Sequence, residues 1–139
     1  MRSVYTQLYL HLVWSTRSRY PYLADHDLRR RVYECINAVC TQLRSDVLAI
    51  GGTDDHVHLL VRPAATLSPA ELVKRIKGAS SHMVNHEIAG QEYFRWQGGY
   101  GAFSVSKRHV PMVRAYVLNQ EKHHRDHRLW EPLELPAVA

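Results

Sequence analysis

Two histidines separated by one apolar residue are the feature of this chain that could most directly do chemistry. They are His56 and His58, within the run Thr-Asp-Asp-His-Val-His-Leu-Leu-Val at 53–61. Side chains alternate between the two faces of a strand, so both imidazoles should point to one face and Val57 to the other. Two imidazoles are half of a metal site, and a working site needs more ligands. For this motif alone, a pair of ordinary surface or core histidines is the alternative.

A tyrosine and a glutamine four residues apart are candidates for the rest of the site. Tyr116 and Gln120 lie in an amphipathic stretch from about His109 to His127, whose apolar residues recur at helical spacing. Residues four apart share one face of a helix, so a phenol and an amide oxygen would lie side by side. Taken singly, Tyr116 could be a packing aromatic, and Gln120 alone is uninformative.

Together, the two motifs resemble those of one known family. A His-hydrophobic-His strand followed by a helical Tyr-x-x-x-Gln is similar to the single-tyrosine HUH endonucleases, specifically the small insertion-sequence transposases that act on single-stranded DNA. The resemblance covers nearly the whole chain, through the segments at 10–14, 55–61, 99–106 and 119–125.

The resemblance implies that the protein cleaves and rejoins single-stranded DNA at the hairpin-marked ends of an element. Tyr116 would attack a backbone phosphorus and keep the 5′ phosphate as a phosphotyrosine intermediate, releasing a 3′ hydroxyl. His56, His58 and Gln120 would hold a divalent metal ion that polarises the phosphate. Ligand softness favours a transition metal such as Mn²⁺, and the resemblance adds Mg²⁺. A homodimer is also implied, in which Tyr116 acts with the histidines of its own chain or of its partner.

Two other functions fit the sequence. A domesticated enzyme of the same chemistry would act on chromosomal palindromic repeats, and only the genomic neighbourhood would distinguish it. A non-catalytic nucleic-acid-binding module would need no more than basic faces and aromatic side chains. The complete set of Tyr116, His56, His58 and Gln120 argues against such a module, because binding alone requires no nucleophile beside two ligands.

Length and charge are consistent with a small protein that binds nucleic acid. The 139 residues predict a single domain over 1–139, with 131–139 as a loose tail. Lys and Arg number 18 against 13 Asp and Glu, and the net charge of +5 favours a polyanionic partner. The candidate DNA contacts are basic residues spread along the chain, namely Arg17, Arg19, Lys74, Lys77, Lys107 and Arg108.

Cysteine usage and hydropathy predict where the protein works. Cys35 and Cys40 fall in the apolar stripe of a predicted helix and are expected to be buried free thiols, which suits a reducing compartment. Charged residues interrupt every apolar run within about 10 residues, so neither a signal peptide nor a membrane span is predicted. We therefore expect a cytoplasmic protein, associated with the nucleoid when bound to DNA and without a membrane partner.

Periodicity and turn signals predict the order strand, helix, strand, strand, helix, strand, helix. The predicted elements are strands at 5–14, 46–52 and 56–62, helices at about 25–43 and from 69, a strand ending near 106, and the Tyr116 helix. This order is the split βαβ pattern, an α+β fold of the ferredoxin-like or RRM-like kind. It predicts an antiparallel sheet with helices on one face, plus an extra C-terminal helix carrying the tyrosine. The third strand would be central and place His56 and His58 within reach of that helix.

Overall fold

The computed structural model describes residues 4–88 and 93–125, with side chains up to Lys122, and the predicted tail at 131–139 lies outside this range. The described residues form four strands and four α-helices. These are β1 (Tyr9–Ser15), α1 (His26–Gln42), β2 (Asp46–Gly52), β3 (His56–Arg62), α2 (Pro69–Glu87), β4 (Gly101–Val105), α3 (Val110–Leu118) and α4 (Gln120–Arg125). Short 3₁₀ turns lie at Arg17–Arg19, Tyr22–Ala24 and Lys107–His109.

The strands form one antiparallel sheet in the order β2-β3-β1-β4. This order confirms the predicted split βαβ architecture, in which each helical crossover joins strands separated by one other strand. It also confirms the central position of β3, which pairs with β2 on one side and β1 on the other. His58 lies opposite Val13 of β1 and Gly51 of β2.

Local signals in the sequence explain where the first two long helices begin. The Asp25 carboxylate caps α1 by accepting hydrogen bonds from the backbone N–H groups of Asp27 and Leu28. The Ser68 hydroxyl accepts a hydrogen bond of 3.1 Å from the N–H of Glu71 at the start of α2. Such caps satisfy amide groups that have no partner within the helix. Both predicted helix starts are therefore confirmed.

Helices α1 and α2 pack against one face of the sheet and form the main core. The apolar side chains of β1 and β3 on this face meet the apolar stripes of both helices. The strand residues are Leu12, Trp14, Val57, Leu59 and Val61, and the helix residues include Leu28, Val32, Ile36, Cys40, Leu72, Val73, Ile76 and Val84. Cys40 is fully buried and Cys35 only partly buried, so the prediction that both thiols are buried was wrong for Cys35. Cys35 lies at the edge of the apolar stripe.

Helix α3, the helix that carries Tyr116, packs on the opposite face. Val113 and Val117 contact a smaller apolar cluster made by Ala49, Leu60 and Val105. At Gly51 of β2, a Cβ atom would lie 1.8 Å from the carbonyl oxygen of Val117. Glycine is required there because the end of α3 touches the strand backbone.

Two predicted elements have different bounds in the structure. The first strand begins at Tyr9 rather than Tyr5. The pairing of β1 with β4 starts at Tyr9, and its pairing with β3 starts at Leu10. The alternating residues 5–8 therefore have no paired strand with which to form backbone hydrogen bonds.

The predicted helix from about 109 to 127 is also not continuous, because it breaks at Asn119 between α3 and α4. The Asn119 side chain donates a 2.7 Å hydrogen bond to the carbonyl of Ala115 and so competes with the helical backbone pattern. Within residues 4–88 and 93–125, no helix combines the length and apolar character that crossing a membrane requires.

Candidate active site

Buried polar side chains gather on the α3 face of the sheet. His11 and His58 have no exposed surface, His56 is 2% exposed and Gln120 is 1% exposed. Tyr116 is 1% exposed and lies among them. The structure thus brings the predicted residues Tyr116, His56, His58 and Gln120 to one face. Buried polar groups require partners, and the partners here show how each side chain is held.

His56 is held at the start of β3 by residues of the preceding turn. Its Nδ1–H donates a 2.8 Å hydrogen bond to the Asp55 carboxylate, and the Thr53 hydroxyl oxygen lies 2.9 Å from the same nitrogen. The hydrogen bond with His56 lowers the pKa of the Asp55 carboxyl, as does the positive charge of Arg19, whose guanidinium lies 3.6 Å away. Asp55 therefore stays ionised and fixes the orientation of the imidazole.

His58 is held differently, by a third histidine from the neighbouring strand. The Nδ1 atom of His58 and the Nε2 atom of His11 share a 2.7 Å hydrogen bond between rings inclined by 21°. The predicted site did not include His11. The sequence signal for His11 is its position as a polar residue in the middle of an apolar strand. Its neighbours Leu10 and Leu12 point to the other face.

Tyr116 reaches the histidines from α3. Its ring centroid lies 5.9 Å from that of His58 and 6.5 Å from that of His11, in nearly perpendicular arrangements. The residue follows Val113 by three positions, so it shares the face of α3 that packs on the sheet. Tyr116 is therefore in contact with His58 of its own chain.

Gln120 opens α4, directly after the break at Asn119. Its amide nitrogen donates a 3.1 Å hydrogen bond to the backbone carbonyl of Tyr116, and its Oε1 atom has no hydrogen-bond partner among the described residues. The next residue, Glu121, pairs with Arg29 of α1 and ties α4 to the rest of the molecule. A cavity of about 390 Å³ lies beside Gln120, lined also by Tyr33, Gly51 and Gly52.

These side chains fit a divalent metal ion. His56 and His58 both use Nδ1 for a hydrogen bond within the protein, so each ring would present Nε2 to a metal. The two ring centroids are 5.1 Å apart, and the Oε1 atom of Gln120 is a buried acceptor able to act as a third ligand. In the described part of the chain, no three His, Cys, Asp or Glu side chains form a metal cluster.

The predicted DNA contacts fall into three places. Arg17 and Arg19 are exposed on the turn after β1, where Ser18 and Arg19 have positive φ values of 54° and 55°. Lys107 and Arg108 are exposed on the turn that leads into α3.

The third place is α2, on the opposite face of the sheet, which carries Lys74 and Lys77. Lys74 is exposed, whereas the ammonium group of Lys77 donates hydrogen bonds to the carbonyls of Gln97 and Gly99. Partial burial lowers the pKa of Lys77. Because Gln97 also bonds to Ser15 at the end of β1, the Lys77 ammonium group lies close to the turn after that strand.

Comparison with known proteins identifies a family and several solved structures, of which two are described. The family model described as "Transposase IS200 like" matches residues 4–120. A candidate transposase from Deinococcus radiodurans R1 is 24% identical, and the alignment covers 86% of this chain and 98% of that one with a TM-score of 0.64. A REP-associated tyrosine transposase bound to a REP hairpin is 14% identical, covering 96% of this chain and 76% of that one, also with a TM-score of 0.64. No curated protein matches the chain.

Proposed function

The chain belongs to the IS200-like transposase family, and we propose that it cleaves and rejoins single-stranded DNA through Tyr116 with the help of a divalent metal ion. The contact between Tyr116 and His58, with ring centroids 5.9 Å apart, is the observation that carries this proposal. The two residues are distant in sequence, and packing of α3 on the sheet brings the proposed nucleophile beside a proposed metal ligand. A role in packing alone would not require buried imidazoles at that position.

The proposed reaction exchanges one phosphodiester for another. The Tyr116 oxygen attacks the phosphorus of the scissile bond and loses its proton. The bond to the 3′ oxygen breaks, and that oxygen leaves as a 3′ hydroxyl after taking up a proton. Tyr116 then carries the 5′ phosphate until another 3′ hydroxyl attacks and releases it. Since the number of phosphodiester bonds is conserved, no nucleotide cofactor is consumed.

His56, His58 and Gln120 would hold the metal ion, Mg²⁺ or Mn²⁺. When bound, the ion polarises a non-bridging phosphate oxygen and offsets the negative charge that repels the phenol. Asp55 keeps the His56 ring in place through its 2.8 Å hydrogen bond. Because α4 begins at Gln120, the Arg29–Glu121 ion pair keeps the amide ligand at the site.

Access to Tyr116 requires α3 to move. The residue is 1% exposed, so a DNA phosphate cannot reach its oxygen while α3 lies against the sheet. Irregular backbone flanks the helix at both ends, in the turn Lys107–His109 and at Asn119. We propose that α3 swings at these two points when DNA binds, and that the closed arrangement protects the nucleophile in the absence of DNA.

The two exposed basic turns are the proposed DNA contacts. Arg19 lies next to Asp55, which holds His56, so a strand entering the site would pass the turn at Arg17 and Arg19. Tyr20 follows them, is 50% exposed and could stack on an unpaired base. Lys107 and Arg108 would contact phosphates on the α3 side. Lys74 lies on the helix that covers the opposite side of the sheet, and the ammonium group of Lys77 is held by the carbonyls of Gln97 and Gly99, so both are left out of this proposal.

The proposed substrate carries hairpins, and the proposed assembly is a homodimer. Fold similarity to a protein bound to a REP hairpin supports the proposal that the substrate carries hairpins. The same similarity favours a second candidate function, in which the enzyme acts on chromosomal palindromic repeats rather than at the ends of a mobile element. Oligonucleotides of both kinds distinguish the two functions, and light scattering with and without DNA measures the assembly.

The direct test is to look for a covalent adduct. The protein is incubated with a single-stranded oligonucleotide carrying the hairpins of its own locus, with Mg²⁺ or Mn²⁺, and analysed by denaturing gel and mass spectrometry. We expect a metal-dependent adduct on Tyr116, and none with Tyr116→Phe, which should still bind the hairpin. Tyr33→Phe is the matched control, because Tyr33 is another tyrosine, partly buried and beside Gln120, and loss of its hydroxyl should leave the adduct unchanged.

Two outcomes would contradict the proposal. If Tyr116→Phe forms the same adduct, another residue is the nucleophile. If the wild-type protein binds hairpins tightly with neither adduct nor cleavage, under every combination of metal and hairpin tested, the chain is a binding module.

A further inference from the structure

His11 is the buried side chain of the site that the proposed reaction leaves without a role. It has no exposed surface and lies at the middle of β1, opposite Leu60 of β3 and Phe103 of β4. An apolar side chain would pack there at lower cost, because burying an imidazole removes its hydrogen bonds with water. The position of His11 therefore calls for a function beyond packing.

The short hydrogen bond between His11 and His58 restricts where their protons lie. Each neutral imidazole has one N–H donor and one acceptor nitrogen, so one ring must donate and the other accept across the 2.7 Å contact. If His11 donates through Nε2, the neutral His58 ring carries its own proton on Nε2 and cannot bind a metal there. If His58 donates through Nδ1, its Nε2 atom is a lone-pair donor. Only the second arrangement is compatible with metal binding.

We propose that His11 is a positioning residue that sets the tautomer and orientation of His58 for metal binding through Nε2. The inference rests on the proposed metal dependence. In this role, Nε2 of His11 accepts the Nδ1–H of His58, and His11 carries its own proton on Nδ1. His11 does not touch the substrate or the metal, and it acts through His58.

The two metal-binding histidines are then supported by different groups. His56 donates to the carboxylate of Asp55, whereas His58 donates to a neutral imidazole. A partner that holds the outer nitrogen of a metal-binding histidine fixes its ring and raises its basicity. A neutral acceptor suits His58, because this ring is more deeply buried than Asp55 and a second carboxylate there would need its own counter-charge.

Substitutions at position 11 separate the hydrogen bond from the volume of the ring. His11→Leu removes the acceptor, and His11→Gln places an amide oxygen near the position of Nε2. Loss of an outer-shell partner weakens metal binding by about 10- to 100-fold. We expect His11→Leu to lower the affinity for Mn²⁺ by this factor and His11→Gln to stay close to wild type. Phe103→Leu is the packing control, because Phe103 contacts the His11 ring without a hydrogen bond.

The experiment measures Mn²⁺ affinity from the signal of the free ion in electron paramagnetic resonance. Urea unfolding of each variant shows whether it is folded. Nitrogen-15 NMR of the metal-free wild-type protein reads the His58 tautomer directly, and we expect the proton on Nδ1. This second reading does not depend on whether His11→Leu folds.

The outcomes distinguish this inference from the proposed function. If the wild-type protein does not bind Mn²⁺, and Mg²⁺ does not support cleavage, the proposed metal dependence fails and the role of His11 fails with it. If the wild-type protein binds Mn²⁺ and folded His11→Leu binds it equally well, only the role of His11 is overturned. A proton on Nε2 of His58 in the wild-type protein would also overturn it.

Discussion

The two faces of the sheet are made from alternate residues of the same strands, yet they differ in composition and purpose. On the face covered by α1 and α2, Leu12, Trp14 and Leu59 lie in a large apolar cluster. On the face covered by α3, the neighbours of these residues in sequence are His11 and His58, together with a smaller apolar cluster around Leu60. One face carries the main apolar core, and the other carries buried imidazoles.

The difference shows how a small protein combines stability with chemistry. Burial of apolar area on the α1 and α2 face supplies most of the driving force for folding. Buried imidazoles on the α3 face contribute little to stability, because their hydrogen bonds mainly replace those lost to water. Substitutions on the first face should therefore change stability most, and those on the second should change metal binding and cleavage more than stability.

Leu59 and Leu60 give the sharpest test, because both are fully buried and they point to opposite faces. We expect truncation to alanine to lower the free energy of unfolding by about 2–5 kcal/mol, with Leu59 towards the upper end and Leu60 towards the lower. Leu59 belongs to the larger cluster and Leu60 to the smaller, and we expect the larger cluster to collapse less readily around a cavity. Urea denaturation measures both, and a greater loss for Leu60→Ala would contradict the comparison.

Gly51→Ala tests how closely α3 must approach the sheet. The new Cβ atom would lie 1.8 Å from the carbonyl oxygen of Val117, so α3 must shift. We expect a loss of about 1–3 kcal/mol in unfolding free energy, together with reduced adduct formation at Tyr116.

Gly78→Ala is the control for that substitution, because a Cβ atom there meets nothing within 4 Å. In the interior of α2, alanine should stabilise the protein by about 0.5–1 kcal/mol and leave the adduct unchanged. If Gly51→Ala keeps full stability and activity, the contact between β2 and α3 does not position the site.

Glu121→Gln tests whether the link between α4 and α1 positions the Gln120 ligand. Glu121 is 56% exposed and its partner Arg29 is 12% exposed. The loss of unfolding free energy should stay below about 1 kcal/mol, as for other ion pairs near the surface. We expect weaker Mn²⁺ binding all the same, measured as the free-ion signal. Glu34→Gln removes a comparable exposed pair with Arg30 on α1 and should leave Mn²⁺ binding unchanged.

Burial of Cys40 on the apolar face predicts a small, pH-dependent effect on the free energy of unfolding. Burial raises the pKa of its thiol from 9.0 to about 11. Because the pKa in the folded state is above that of the unfolded state, the contribution of the neutral thiol is fully present below pH 9 and is lost as pH rises through 11. Urea unfolding from pH 7 to 10 should therefore show a smaller alkaline loss of stability in Cys40→Ala than in the wild type. An equal alkaline loss of stability in both proteins would show that groups other than the Cys40 thiol cause it.

Much of the fold could be predicted from local sequence patterns, because turns, helix starts and strand alternation depend on residues that are close together in the chain. The hairpin bounds at 46–52 and 56–62, the starts of the first two long helices, and the strand order all follow from alternation, turns and connection rules. The errors fell where local patterns lack their partners. Residues 5–8 alternate but have no neighbouring strand, and the predicted last helix breaks at Asn119, where a side chain competes with the backbone.

The candidate site was predictable to a similar extent. The sequence alone determined that His56 and His58 share a face, because the period of a strand is fixed by backbone geometry. The helical period did not extend from Tyr116 to Gln120, since the helix breaks at Asn119 between them. Only the tertiary structure decided that these pairs meet, that Arg29 ties α4 to α1, and that His11 bonds to His58. Such contacts join residues far apart in the chain, and their distances depend on how strands pair and helices pack.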